Sequence, residues 1–162
     1  MSIDVIRADY ADPSHAAAII DLLDAYARDP MGGNHPLSAV VREGLVPALA
    51  ARPDALSILA FVDGVPAGLV NAFEGFSTFK CAPLMNIHDV TVLPEFRGLG
   101  LARRMLALAE VLAVERGCCK LTLEVLDGNH PAKALYSSLG FAGYALDPAT
   151  GHAVFWEKPV QA

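Results

Sequence analysis

Chemistry is most legible in this chain at Arg97-Gly98-Leu99-Gly100-Leu101-Ala102-Arg103, a glycine-rich turn that follows the apolar run Val90-Thr91-Val92 and precedes an amphipathic stretch. Glycine lets the backbone take conformations that a side chain forbids and lets a ligand come close to the main chain. A helix that starts here presents amides without an intrahelical acceptor, and its dipole adds partial positive charge at the same end. Strand, turn and helix start together make a grip for an anion such as a phosphate. Just upstream stand His88 and Asp89, an imidazole of the type that titrates near neutrality beside a carboxylate. Strand alternation places the two on opposite faces unless a bulge intervenes.

Two commoner glycine motifs are excluded residue by residue. A nucleoside-triphosphate loop needs Gly-Lys-Ser/Thr entering its helix, and Leu101-Ala102 follows Gly100 instead. A dinucleotide fingerprint starting at Gly98 wants Gly or Ala where Arg103 sits, and it opens a domain rather than lying mid-chain.

The elements that must position this turn follow from periodicity. Ser2 to Arg7 reads as a short strand, and Asp12-Pro13-Ser14 as a turn with Ser14 as helix cap. Ala16, Ile19, Ile20, Leu23 and Ala27 form a helical stripe, after which Asp29 to Pro36 reads as a mobile loop. Ser38 caps a second helix, which Pro47 should kink or divide. Leu56 to Val62 and Val65 to Phe73 form a hairpin about Asp63-Gly64, and Glu74 to Pro83 is another hairpin end. Met85 to Val92 is the strand that leads into the glycine turn. The helix after that turn carries Ala102, Met105, Leu106, Ala109, Leu112 and Ala113 on one face and ends at Gly117. Lys120 to Val125 is a strand, and Asn129 to Leu139 holds a short helix stopped by Gly140. Phe141 to Leu146 and Ala153 to Trp156 make two last strands.

With 162 residues, no repeat and no linker, the chain fits one domain spanning 1–162. Its apolar residues, 54% of the total, are broken into runs too short for a membrane helix, and residues 1–5 lack a signal-peptide pattern. These features predict a cytoplasmic protein without a membrane partner. A net charge of −6 argues against nucleic-acid binding, whose affinity comes from lysine and arginine on phosphates, and suits a cationic small substrate. Cys81, Cys118 and Cys119 form no disulfide framework and read as inert. His15, His35, His130 and His152 lack metal-ligand spacing, so no metal is expected. Asp24, Asp29 and Glu74 read as solvated carboxylates, or as groups that recognise a cation if their loops close over a substrate.

Arg97-x-x-Gly100-x-Ala102, preceded by Val90-x-Val92-x-Pro94, resembles the Arg/Gln-x-x-Gly-x-Gly/Ala signature of the GCN5-related N-acetyltransferase (GNAT) superfamily. Asn129, Ala132, Ala134-Leu135-Tyr136 and Leu139-Gly140-Phe141 match the second half of that pattern, and the order of elements agrees from residue 2 to 158. The resemblance implies an α/β (mixed α+β) fold. It has a mostly antiparallel sheet of about six to seven strands, a splayed parallel pair, and about four flanking helices. It implies acetyl-CoA as cosubstrate, with the pyrophosphate on amides of Gly98, Leu99, Gly100, Leu101, Ala102 and Arg103 beside Arg97. The pantetheine would lie along Val90, Thr91 and Val92, with Asn129 and Ala132 on the other wall.

By the same resemblance Tyr136 is the acid that protonates the departing thiolate. An alkylamine, with pKa near ~10, must lose a proton before it attacks. Some members place Glu-Asp where this chain has His88-Asp89. His88 therefore stands as candidate base and Asp89 as a partner or as the group that holds the amine by charge. The activity implied is acetyl transfer to a primary amine of a small molecule in a ternary complex, in a chain that pairs as a homodimer. Two alternatives stay open: a noncatalytic CoA-binding regulatory domain, and an acetyltransferase for proteins or peptides.

Overall fold

The computed structural model describes residues 1–160, which form two compact units divided between Leu123 and Glu124. The first holds a sheet of five strands in the order β1 (Ile3–Arg7), β2 (Ala55–Val62), β3 (Val65–Ser77), β4 (Ala82–Val92) and β5 (Leu121–Leu123). All neighbours are antiparallel except β4 and β5, which run parallel. Three helices flank it: α1 (Pro13–Arg28), α2 (Ala39–Ala50) and α3 (Leu101–Glu115). The second unit contains α4 (His130–Ser138) and the segment beyond it.

The first three strands form close to where the alternation predicts. Asp63 and Gly64, with φ of 48° and 78°, turn β2 into β3, as a two-residue hairpin requires. Successive side chains then point to opposite faces. Leu59 and Leu69 join Ala18, Ile19, Ile20, Leu22 and Val46 in the core under α1 and α2. Gly68 faces α3, and a Cβ there would lie 2.8 Å from the Met105 methyl and 3.1 Å from the Thr91 carbonyl oxygen. The missing side chain lets α3 settle closely on the sheet with Leu101, Met105, Leu106, Ala109 and Ala113 buried.

Several expectations are corrected. Asp12, not Ser14, caps α1: its carboxylate accepts from the amides of Ser14 at 2.7 Å and His15 at 3.4 Å, ahead of Pro13 in the first turn. Ser38 caps α2 as predicted, but α2 runs undivided through Pro47 to Ala50. Pro47 and Glu43 both lie on its exposed face, where water can take the carbonyl that the proline leaves without a donor. The loop at 29–36 has local structure of its own. It contains a 3-10 turn at Pro30–Gly32, the His35 amide donates to the Ala27 carbonyl, and the Leu37 amide donates to Asp24.

The two last predicted strands are absent among the described residues. Between Phe141 to Leu146 and Ala153 to Trp156 one backbone hydrogen bond forms, Ala153 amide to Tyr144 carbonyl at 2.9 Å. A 3-10 turn at Pro148–Thr150, capped by Asp147, separates them. Alternation makes a segment able to pair, but only a ladder of bonds makes it a strand. The sheet accordingly has five strands rather than six to seven, and β5 is shorter than the predicted 120–125.

Candidate active site

The glycine turn has the backbone that its residues dictate. After Val92 a 3-10 turn at Pro94–Phe96 carries the chain to Gly98 and Gly100, both left-handed with φ of 83° and 73°. A Cβ built on either would meet nothing within 4 Å, so the requirement is conformational and the space beside the backbone is open. α1, α2 and α4 are capped by the side chains of Asp12, Ser38 and Asn129, whereas Gly100 offers α3 no side-chain cap. The first amides of α3, those of Leu101 and Ala102, therefore receive no side-chain cap from Gly100 and keep their capacity for an anion from outside the chain. Arg103 and Arg104 lie exposed in the same turn and add positive charge.

Arg97 ties this turn to two other elements. Its Nε donates to the Val92 carbonyl at 3.3 Å, and its guanidinium lies 3.7 Å from the carboxylate of Asp29, which follows α1. Asp29 also accepts from the Met31 amide at 2.9 Å, so the glycine turn and the 29–36 loop share one charged contact.

The strand leading into the turn has a free edge. Parallel pairing with β5 covers only Met85 to Ile87, where Asn86 also donates to the Thr122 hydroxyl at 3.1 Å. From His88 to Val92 the strand pairs on one side alone, with β3. Among the described residues no strand pairs with Val90, Thr91 and Val92 on that edge, where an amide-bearing ligand could lie strand-fashion, although the Val92 carbonyl already accepts from Arg97.

The bulge that would reconcile His88 with Asp89 is present. Asn71 pairs with Asp89 and Ala72 with Ile87, which leaves His88 as the extra residue. The His88 ring packs edge-on against Phe73 at 5.5 Å, and Asp89 accepts from the Asn71 amide nitrogen at 3.0 Å. Asn71 and Phe73 share one face of β3, so His88 and Asp89 share that face, the one under α1. His88 is exposed and Asp89 half-buried. The Tyr26 phenol on α1 is pushed up by burial and then by the Asp89 and Asp29 carboxylates.

In the second unit, Asn129 accepts from the Ala132 amide at 3.3 Å and so caps α4. These two predicted cofactor contacts are joined to each other. Tyr136 is half-buried, with its ring packed on Phe141 at 5.9 Å. Among the described residues no cluster of histidine, cysteine or carboxylate side chains is arranged for a metal, and no helix is long and apolar enough to cross a membrane. An open cavity of about 760 Å³ between α1 and α2 includes none of the predicted site residues in its lining. Sequence reasoning passed over Asn71. A lone amide inside the apolar run Leu69 to Phe73 was the available signal.

Residues 17–141 match the model of the acetyltransferase (GNAT) family. Among curated proteins, the chain is 37% identical over 68 residues to thialysine N-epsilon-acetyltransferase of Bos taurus, covering 42% of this chain and 39% of that protein. It is 42% identical over 65 residues to streptothricin acetyltransferase of Streptomyces lavendulae, covering 40% and 34%. The chain thus spans well under two-thirds of the length of these relatives. Its fold is that of an aminoglycoside N-acetyltransferase solved with CoA, at 19% identity and a TM-score of 0.74 over 98% of this chain and 96% of the other. The glycine signature, the short parallel pair of β4 and β5 and a family match over most of the length agree, and the chain belongs to the acetyltransferase (GNAT) family.

Proposed function

We propose that this chain transfers the acetyl group of acetyl-CoA to a primary amine of a small molecule, by direct attack in a ternary complex. The observation that carries this reading is the left-handed Gly98–Gly100 turn opening an uncapped α3 beside the unpaired edge of Val90 to Val92. In this reading the amides of Gly98 to Arg103 bind the pyrophosphate, and the β4 edge pairs with the pantetheine. Acetyl-CoA supplies the thioester, whose C–S bond breaks as the amine nitrogen bonds to the carbonyl carbon. Asp89 holds the incoming ammonium by charge, and His88, exposed on the bulge, accepts its proton. The Tyr136 hydroxyl donates a proton to the departing sulfur, a role that rests on its spacing from Asn129 in the family pattern. Relatives that include thialysine, streptothricin and aminoglycoside acetyltransferases support a small-molecule acceptor over a protein one.

The test is thiol release from acetyl-CoA across polyamines, amino acids, aminoglycosides and arylamines, with thermal stabilisation by CoA measured in parallel. Amine-dependent release is the expected result. Stabilisation without release from any amine would instead make the chain a CoA-binding domain, and the absence of stabilisation would remove the cofactor assignment. With an active amine, Tyr136→Phe lowers kcat about 100-fold, the lower end of what general acid catalysis contributes. Unchanged turnover would remove the acid role.

A further inference from the structure

Ser57 and Asn71 are 1% and 3% exposed, and they are the buried polar residues among the described ones. They sit in the two central strands, where an apolar pair would avoid the cost of taking hydroxyl and amide groups out of water. The register places Ser57 opposite Asn71, and Asn71 opposite Asp89, so that the three form one row across β2, β3 and β4. The Ser57 hydroxyl donates to Asn71 Oδ1 at 2.6 Å, and Asn71 Nδ2 donates to Asp89 Oδ2 at 3.0 Å. The Tyr10 hydroxyl lies 3.0 Å from the Ser57 hydroxyl.

The directions follow from counting protons. Serine has one, and here it is given to Asn71, so Tyr10 must donate to Ser57. Every donor in the row therefore points toward Asp89, from Tyr10 through Ser57 and Asn71. Such chains polarise one another and strengthen the terminal bond. The row ends on one carboxylate oxygen at the bulge beside His88 and leaves the other for a ligand.

We infer that Tyr10, Ser57 and Asn71 are positioning residues that aim the Asp89 carboxylate at the acceptor amine. The inference rests on the role assigned to Asp89 under the proposed function. It explains why two polar side chains occupy the centre of the sheet and why they lie in register with the bulge. It also assigns a functional part to Tyr10, at the far end of the row from the reacting groups.

The test is a double-mutant cycle on an active amine. Asn71→Leu, which keeps the volume and removes both arms, lowers kcat/KM for the amine about 10- to 100-fold, as loss of a hydrogen bond to a charged group does. KM for acetyl-CoA changes less than about twofold, since the glycine turn is untouched. Tyr10→Phe lowers kcat/KM for the amine about threefold in the parent and has no effect in an Asp89→Asn background, because coupled sites are not additive. The Tyr10→Phe arm decides the matter if Asn71→Leu fails to fold. A merely structural role lowers thermal stability and leaves the amine kinetics of the folded protein intact, which would overturn the inference, as would additivity in the cycle. If Asp89→Asn itself leaves amine kinetics unchanged, the role of Asp89 fails and the inference with it. A chain that transfers acetyl to no amine overturns the functional reading and, through it, this one.

Discussion

Under α3, the central strands present Leu56, Ile58, Val70, Ala72, Met85 and Ile87, all buried and all apolar. Under α1 the same strands present Ser57 and Asn71, each next to a residue of the first face, and Asp89 across the bulge from Ile87, joined by hydrogen bonds. The first face meets α3, whose N-terminus follows the left-handed glycine turn that the proposed function assigns to the cofactor. Its packing only has to hold that helix still. The second face carries the polar row and the bulge residues His88 and Asp89. In the proposed function one sheet thus separates anchorage from chemistry by the alternation of side chains, and the bulge at His88 is what brings two successive residues of β4 to the same side.

If that separation is real, the two faces fail differently. Met105→Ala, at a fully buried position under α3, costs about 2–5 kcal/mol of stability from lost burial and a residual cavity. Urea unfolding measures the loss, while kcat/KM per folded molecule stays within about twofold. A large drop in catalysis of the folded fraction would blur the distinction. Asp89→Asn reverses the pattern, with kcat/KM for the amine down about 10- to 100-fold through loss of a charged hydrogen-bonding group and little change in the unfolding midpoint. Steady-state kinetics on an active amine reads it out.

Gly100→Val tests the junction between anchorage and cofactor. A branched side chain at φ of 73° costs about 1–3 kcal/mol and shifts the first amides of α3. The expected result is a KM for acetyl-CoA raised about 10-fold, with CoA-dependent thermal stabilisation reduced. Unaltered acetyl-CoA kinetics would detach the turn from the cofactor.

The smallest effect belongs to the rim of the α1 face. Asp24 accepts from Arg28 and from the Leu37 amide, and these contacts, the arginine first, hold its carboxyl below the ordinary carboxylate range. A folded-state value below the unfolded one gives stability that is present above the ordinary range and is lost as pH falls through the depressed value. Asp24→Asn therefore lowers the midpoint slightly near neutrality and leaves it nearly unchanged only once the pH has fallen below the depressed folded-state value, so the two acid-denaturation curves converge at the acid end. Curves that stay parallel would remove this contribution.

Much of the site was legible because its requirements are local. A left-handed turn needs glycine wherever it occurs, so Gly98 and Gly100 announce themselves, and Met105, Leu106 and Ala109 reveal the buried face of α3 by spacing alone. Ser38 likewise signals a cap from its neighbours. The failures lie where the outcome depends on distant partners. Phe141 to Leu146 and Ala153 to Trp156 have the alternation of strands and only one backbone bond between them. Pro47 carries the signal of a break, but its exposed side of α2 tolerates the missing bond. The relation of His88 to Asp89 was undecidable from β4 itself, since a bulge is a count of residues against another strand.

By itself, then, the sequence determined the glycine turn, the helix that it opens and the identity of the imidazole and carboxylate just upstream. These depend on backbone sterics and on periodicities that each segment carries alone. Tertiary structure decided which face His88 and Asp89 share, how far β4 runs beyond β5, and that Tyr10, Ser57 and Asn71 stand in line behind Asp89. Register between strands distant in the chain sets all three, and it forms only when the sheet assembles.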